Sequence, residues 1–231
     1  MSGLKYGAVW VVVPCYDEGN RLHHVLGQLA SHGHSIVVVD DGSPTPVTGV
    51  EHYSGAYLVR HCVNLGQGAA LQTGIDYALA HGAQYIVTFD SDGQHLASDI
   101  AAMLAPLRTG HVQVTLGTRF AEGGCAVDIP TTRALVLKAA VSFTRGTTGL
   151  RITDTHNGLR AFTREAAARL RITQNRMAHA SQVLSEIARL GLDYAEVPVT
   201  VRYSSESLAK GQRMSNAFNI LWESTSGIFA R

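Results

Sequence analysis

Two carboxylates separated by one residue, Asp90 and Asp92, close an apolar run in the segment FDSDGQH. Alternate residues of an extended chain point the same way, so both acids can face one cation. Paired hard oxygens suit Mg2+ or Mn2+, which would keep other positions for water and for the oxygens of a diphosphate. Gln94, two residues further on, offers a third oxygen. The competing reading is an Asp-rich turn. Context weighs against it, because the motif follows an apolar strand whose companions also end in polar residues. His95 stands beside the acids, either supporting them from behind or only beginning the next helix.

Asp40 and Asp41 close a second apolar run in VVVDDGSP. A carboxylate there could accept hydrogen bonds from a nucleobase ring nitrogen or a ribose hydroxyl, while Gly42-Ser43-Pro44 turns the chain away. As isolated residues they would more often cap a turn. The glycines of Gly66-x-Gly68 either let backbone approach a phosphate or let the following helix pack closely.

These residues need elements to place them. Short β-branched runs, Ala8 to Val13, Ser35 to Asp40, Ala56 to Arg60, Gln84 to Asp90 and Val112 to Thr118, alternate with segments of helical apolar spacing. The helical segments are Asn20 to Ser31, Gly68 to Ala80 and Ser98 to Leu107, with Ser98 placed as an N-cap. The alternation predicts a doubly wound α/β unit, a mostly parallel sheet with helices on both faces. Ligands of such sheets bind beyond the carboxyl ends of the strands, and polar residues and glycine collect at all five run endings. Further on, Thr131 to Gly146, Arg164 to Leu170 and Ser181 to Leu190 read as helices, and Tyr194 to Arg202 as one strand. Ser204 to Arg213 reads as a mobile loop, and Asn216 to Phe229 as a last helix whose apolar residues pack on the sheet, meet a partner or lie in a membrane interface.

Composition narrows the classes. The 231 residues, 45% hydrophobic and 16% charged, suit one domain over 1–231. Its two halves would divide at about residue 120. A formal charge of +1 with no long basic run excludes the footprint of a duplex nucleic-acid binder. Cys15, Cys62 and Cys125 lack a CxxC spacing, which argues against a disulfide framework or zinc-thiolate site and predicts reduced, mostly buried thiols. Eleven histidines are scattered without an HExxH spacing. The N-terminus lacks a signal-peptide pattern and no apolar stretch reaches the eighteen or so residues of a spanning helix, so the expectation is a cytoplasmic protein able to sit on the inner face of the membrane.

The ordered string VVVPCYDEGNRL, VVVDDGS, NLGQGAALQTGIDYA, FDSDGQH, GTRF and DTHNGLRAF resembles the inverting family 2 glycosyltransferases of the GT-A fold, a Rossmann-like architecture. Within them it looks most like the branch of dolichol-phosphate mannose synthase and its bacterial polyprenyl-phosphate relatives. The resemblance covers roughly residues 8 to 213 and implies a nucleotide-sugar-binding half at about 8–120 and an acceptor-side half at about 121–231 that carries the mobile loop and C-terminal helix. It implies base and ribose contacts from Pro14, Tyr16, Glu18, Asp40 and Asp41, and a cofactor-binding set that also includes Gly68, Asp90 and Ser91. It implies metal contacts from Asp90, Asp92 and Gln94. Arg119 and Arg133 would face an acceptor phosphate, and Arg202 or Lys210 would cover the donor. Gln67 stands where many relatives carry lysine, and the C-terminal transmembrane helices of some members are not found in this sequence.

The implied chemistry is transfer from a GDP- or UDP-sugar with a divalent ion at the leaving diphosphate. A lipid-phosphate acceptor is already anionic and needs only arginines to place it. A glycan hydroxyl would need a base, and Asp154 fills that role by resemblance, against a simpler reading as cap of the Thr155 to Gly158 turn. A membrane-protein partner or a homo-oligomer stays open. Two rival classes are a sugar nucleotidyltransferase, which would want a Gly- and Arg-containing phosphate loop where this chain has PCYDEGN, and an idle nucleotide-binding module, which would be free to lose Asp90, Asp92 and Gln94.

Overall fold

The computed structural model describes residues 8–127, 131–174 and 178–203. The chain opens with β1 (Val9–Cys15), α1 (Asn20–Ala30), β2 (Ser35–Asp40), a 3-10 turn at Val50–His52 and β3 (Ala56–Arg60). It continues with α2 (Gln67–Ala80), β4 (Tyr85–Thr88), α3 (Asp99–Arg108) and β5 (Val114–Thr118). The remainder supplies β6 (Cys125–Val127), α4 (Thr131–Thr148), β7 (Arg160–Thr163), α5 (Arg164–Arg169), α6 (Ala178–Leu190), β8 (Tyr194–Pro198) and β9 (Thr200–Arg202).

Seven strands form one sheet in the order β3-β2-β1-β4-β7-β5-β8, and β6 pairs with β9 beside it. Every neighbour pair in the large sheet is parallel except those of β7, which runs antiparallel to β4 and β5. The unbroken apolar runs of β1 and β2 follow from this arrangement, since both are buried at every residue. Val9, Val11 and Val13 of β1 enter a core with Leu22 and Leu26 of α1 and Met103 of α3. Trp10 and Val12, pointing the other way, pack with Leu71 and Ile75 of α2 and Ile187 of α6. Each fully buried side chain of this kind contributes about 1.5–3 kcal/mol. Gly74 allows α2 to lie close on β1, because a Cβ there would stand 2.3 Å from Val12 Cγ1.

The path from β1 leads through β2 to β3 on one side and returns to β4 on the other. Strand order therefore reverses between β1 and β4, and their carboxyl ends open a crevice.

This is the doubly wound sheet with helices on both faces that the sequence predicts, with several local differences. β7 and β6 were not expected, and the predicted Tyr194 to Arg202 strand divides at Val199. The first part follows β5 as far as Thr118 opposite Pro198, and the second leaves to pair with β6. Ser98 holds the N-cap position of α3 but makes no side-chain capping bond. Of the three cysteines only Cys15 is buried, while Cys62 and Cys125 are exposed. Among the described residues no helix is long and apolar enough to cross a membrane. The predicted loop at 204–213 and helix at 216–229 lie outside the described residues.

Candidate active site

The acid pair sits at the crevice. Thr88, the last residue of β4, donates through Oγ1 to the carbonyl of Gly158 at 2.7 Å, which ties the strand end to the turn before β7. Beyond it the Asp90 carboxylate is held at both oxygens. Gln67, the first residue of α2, donates from Nε2 to Oδ1 at 3.1 Å, and His95 Nε2 lies 3.2 Å from Oδ2. Gly158 leaves the space this carboxylate occupies, since a Cβ there would fall 2.0 Å from Oδ2. Asp92 Oδ1 accepts the backbone N–H of Gln94 at 3.0 Å, so Gln94 supports the pair through its main chain.

The two acids repel. Burial, then the charge of Asp90, pushes the Asp92 carboxyl up to about 6. Burial would raise Asp90 too, but the His95 hydrogen bond and the charges of His95, His179 and Arg160 carry it below the usual carboxylate range. A divalent ion between the acids would relieve the repulsion. Among the described residues no three His, Cys, Asp or Glu side chains form a ready-made cage. An ion here would complete its shell with water and diphosphate oxygens, as Mg2+ and Mn2+ do. Asp90 and Asp92 fit that role.

A second centre lies at the end of β5. The buried Arg119 and Asp154 side chains form a two-point ion pair, Nε to Oδ2 at 2.6 Å and NH2 to Oδ1 at 3.2 Å. NH1 donates to the Tyr203 hydroxyl. Burial would lower the Arg119 guanidinium, yet Asp154 and Tyr203 hold it above its ordinary value. Asp154 Oδ1 also accepts the backbone N–H of His156 at 3.2 Å, so it caps its own turn. Glu196 of β8 fixes that turn from behind, with Oε1 accepting from the backbone of Thr153 at 2.6 Å and of Asp154 at 3.3 Å.

Three residues that sequence reasoning passed over connect the two centres. Arg160 is buried, donates to the carbonyls of Asn157, Thr155 and Ala180, and is pushed down to about 10 by burial against the opposing charges of Asp90 and Asp154. His156 is pushed down to about 4, by burial first and then by neighbouring cations, so it is neutral at pH 7. His179, near the start of α6, adds to the field at Asp90. Arg160 and His156 stand inside the motif DTHNGLRAF, where a signal existed; His179 had none.

The two acids at the end of β2 are both held by loops. Asp40 is fully buried and accepts from Arg60, from the Ser43 backbone at 2.9 Å and from the Val47 backbone at 3.3 Å. Asp41 accepts from the backbone of Leu65 at 2.9 Å and Gly66 at 2.7 Å, and pairs with His61 Nδ1 at 2.7 Å, whose Nε2 meets Thr73 Oγ1 at 3.0 Å. Buried carboxylates must be satisfied. These two are satisfied by the loops they hold, and in doing so they shape the crevice at the end of β2.

Pro14 is buried in β1 opposite Val39, Ser91 is buried, and Tyr16 is 45% exposed at the crevice edge. Glu18 pairs with Arg21 at 3.2 Å and contributes to the field at Asp92, which places it near the acids. Gly68 serves packing, since a Cβ there would lie 2.0 Å from the carbonyl oxygen of Gln174. Arg202 has an exposed side chain, and its backbone N–H meets the Gln94 carbonyl at 3.0 Å. Arg133 falls in α4 where side chains are not described, and Lys210 lies outside the described residues.

Comparison with known proteins agrees with this geometry. An uncharacterized protein of Methanocaldococcus jannaschii is 31% identical over 93% of this chain and 90% of its own length. The UDP-N-acetylglucosamine--dolichyl-phosphate N-acetylglucosaminyltransferase of Methanococcus voltae is 27% identical over 93% of both. Glucosyl-3-phosphoglycerate synthase from Mycobacterium tuberculosis, solved with Mn2+, UDP-glucose and phosphoglyceric acid, shares the fold at a TM-score of 0.64. It is 20% identical, and the match covers 87% of this chain and 74% of that one. The profile described as glycosyl transferase family 2 matches residues 10–171, more than two thirds of the sequence, and the chain accordingly belongs to that family of glycosyltransferases.

Proposed function

We propose that this glycosyltransferase moves a sugar, with inversion, from a GDP- or UDP-sugar to a polyprenyl- or dolichyl-type phosphate at the cytoplasmic face of a membrane. The observation that carries the reading is the Asp90 and Asp92 pair, two mutually repelling carboxylates at the carboxyl end of β4 beside the start of α2. A bound Mg2+ or Mn2+ supplies positive charge where negative charge grows on the departing diphosphate. Asp90 and Asp92 hold that charge in place, Gln67 and His95 fix Asp90, and the Gln94 backbone fixes Asp92. The fixed arrangement acts more strongly on the transition state than on the ground state.

The acceptor reading rests on Asp154. Both of its oxygens are taken by Arg119 and it is buried, so it is poorly placed to remove a proton from a hydroxyl. A lipid phosphate asks for no such base. Arg119 has five N–H groups; Asp154 and Tyr203 occupy three among the described residues, which leaves two for an anion. The dolichyl-phosphate acceptor in the name of the Methanococcus voltae relative supports the same choice.

The deciding experiment is a donor screen with Mn2+ or Mg2+, in which nucleoside diphosphate release is followed for several nucleotide sugars with and without a polyprenyl phosphate. One donor should turn over with the lipid phosphate present, and Asp92→Asn should abolish it. Turnover that ignores the lipid phosphate but rises with a glycan would overturn the acceptor assignment.

A further inference from the structure

We propose that His95 is a positioning residue for Asp90, presenting an N–H that fixes the carboxylate for a divalent cation; this rests on the reading in which Asp90 and Asp92 hold that ion. The geometry has three parts. His95 is 4% exposed, and its Nε2 lies 3.2 Å from Asp90 Oδ2. Its ring stands edge-on to Phe89, with centroids 5.7 Å apart and planes at 67°. Its backbone forms an antiparallel bridge with Val201, just before the Arg202 N–H that meets the Gln94 carbonyl at 3.0 Å. The ring is therefore held by the core on one side and by the start of β9 on the other.

The donating nitrogen follows from the partners. An ionised carboxylate only accepts, so the hydrogen sits on Nε2. Nδ1 is buried with no hydrogen-bond partner among the described residues. Among the described residues the Asp90 carboxylate is thus the one hydrogen-bond partner of the imidazole, and nothing competes to re-aim the ring. The carboxylate offers roughly four lone-pair directions. Gln67 and His95 take one on each oxygen, and Gly158 keeps the space around Oδ2 clear. Among the described residues this leaves one open direction per oxygen, already oriented.

A partner behind a metal ligand typically changes metal affinity by about 10- to 100-fold when it is removed. The test is Mn2+ alone, titrated by electron paramagnetic resonance against the full chain and four variants, with thermal unfolding of each variant recorded without metal. His95→Gln places an amide N–H where Nε2 stood and should bind Mn2+ within about threefold of the parent, while His95→Asn, too short to reach, should lose about 10- to 100-fold. His95→Phe keeps the ring and deletes the N–H, and should lose as much as His95→Asn. A ring that matters only as packing would give the reverse order, with Phe tolerated and Gln impaired, and would overturn the proposal. Should His95→Phe fail to fold, the Gln and Asn pair decides alone. Asp92→Asn separates the two readings. If it binds Mn2+ like the parent, the metal reading fails and this proposal with it; if it loses Mn2+ while His95→Asn and His95→Phe do not, only this proposal fails.

Discussion

Arg119 and Asp154, brought together from 35 positions apart, form a buried two-point ion pair in which both carboxylate oxygens are committed. Removing one partner of such a pair strands a charge away from water. Asp154→Ala or Arg119→Ala should therefore destabilise the protein by about 3–5 kcal/mol. The double replacement Arg119→Met with Asp154→Leu should recover much of that loss while remaining inactive. Urea unfolding of the three variants checks this, and equal losses in the single and double variants would contradict it.

Gly158 is a steric requirement of the acid pair. Gly158→Ala should push Asp90 Oδ2 off its position, because the added Cβ would arrive 2.0 Å away. A misplacement on the ångström scale can cost about a hundredfold in turnover. We expect a fall of that order in kcat/KM together with weaker Mn2+ binding. Unchanged Mn2+ affinity would show that the carboxylate sits elsewhere.

Divalent ion removal should stop transfer. EDTA treatment is expected to abolish nucleoside diphosphate release, and added Mn2+ or Mg2+ to restore it, since the ion held by Asp90 and Asp92 would supply the charge that the leaving diphosphate needs. Full turnover in excess EDTA would contradict the role given to Asp90 and Asp92.

The cysteines should separate by reactivity. Burial first, then the charges of Asp40, Glu18 and Asp41, pushes the Cys15 thiol up to about 12 from an ordinary 9.0. At pH 8 two thiols, Cys62 and Cys125, should react with a disulfide reagent in the folded protein, and the third only on unfolding. The sign of the linkage is fixed: the raised thiol contributes stability that is present below pH 9 and is lost as pH climbs towards 12. Alkaline unfolding followed in the parent and in Cys15→Ala tests it, and the variant should show the shallower decline.

Gly74→Ala tests the packing of α2 on β1. Alanine gains helix propensity, but its Cβ would meet Val12 Cγ1 at 2.3 Å. Overpacking of this kind typically costs about 1–3 kcal/mol, so a lower melting temperature is expected.

Much of the site could be read in advance because its residues are close in sequence. Asp90, Asp92, Gln94 and His95 lie within six positions, and an apolar strand before them announces where they end up. Asp40 and Asp41 mark the end of β2 just as clearly, yet their partners do not. Arg60, His61 and the backbone of Leu65 and Gly66 come from the next strand and loop, and only their arrival shows that the two acids also hold these segments in place. Arg160 carries no periodic signal as a single arginine opening a four-residue strand; its weight comes from burial beside Asp90 and Asp154.

The sequence by itself determined the alternation of strands and helices in residues 8–118, the two-faced burial of β1 and β2, and the acid motif at the strand end, because each is written in local apolar periodicity. Tertiary structure alone decided that β7, four residues long, slips antiparallel between β4 and β5. That insertion sets Gly158 against Asp90, while the turn before β7 sets Asp154 against Arg119. Such pairings join residues dozens of positions apart, and their energy exists only once the intervening chain has closed its loops, so no local pattern can report them.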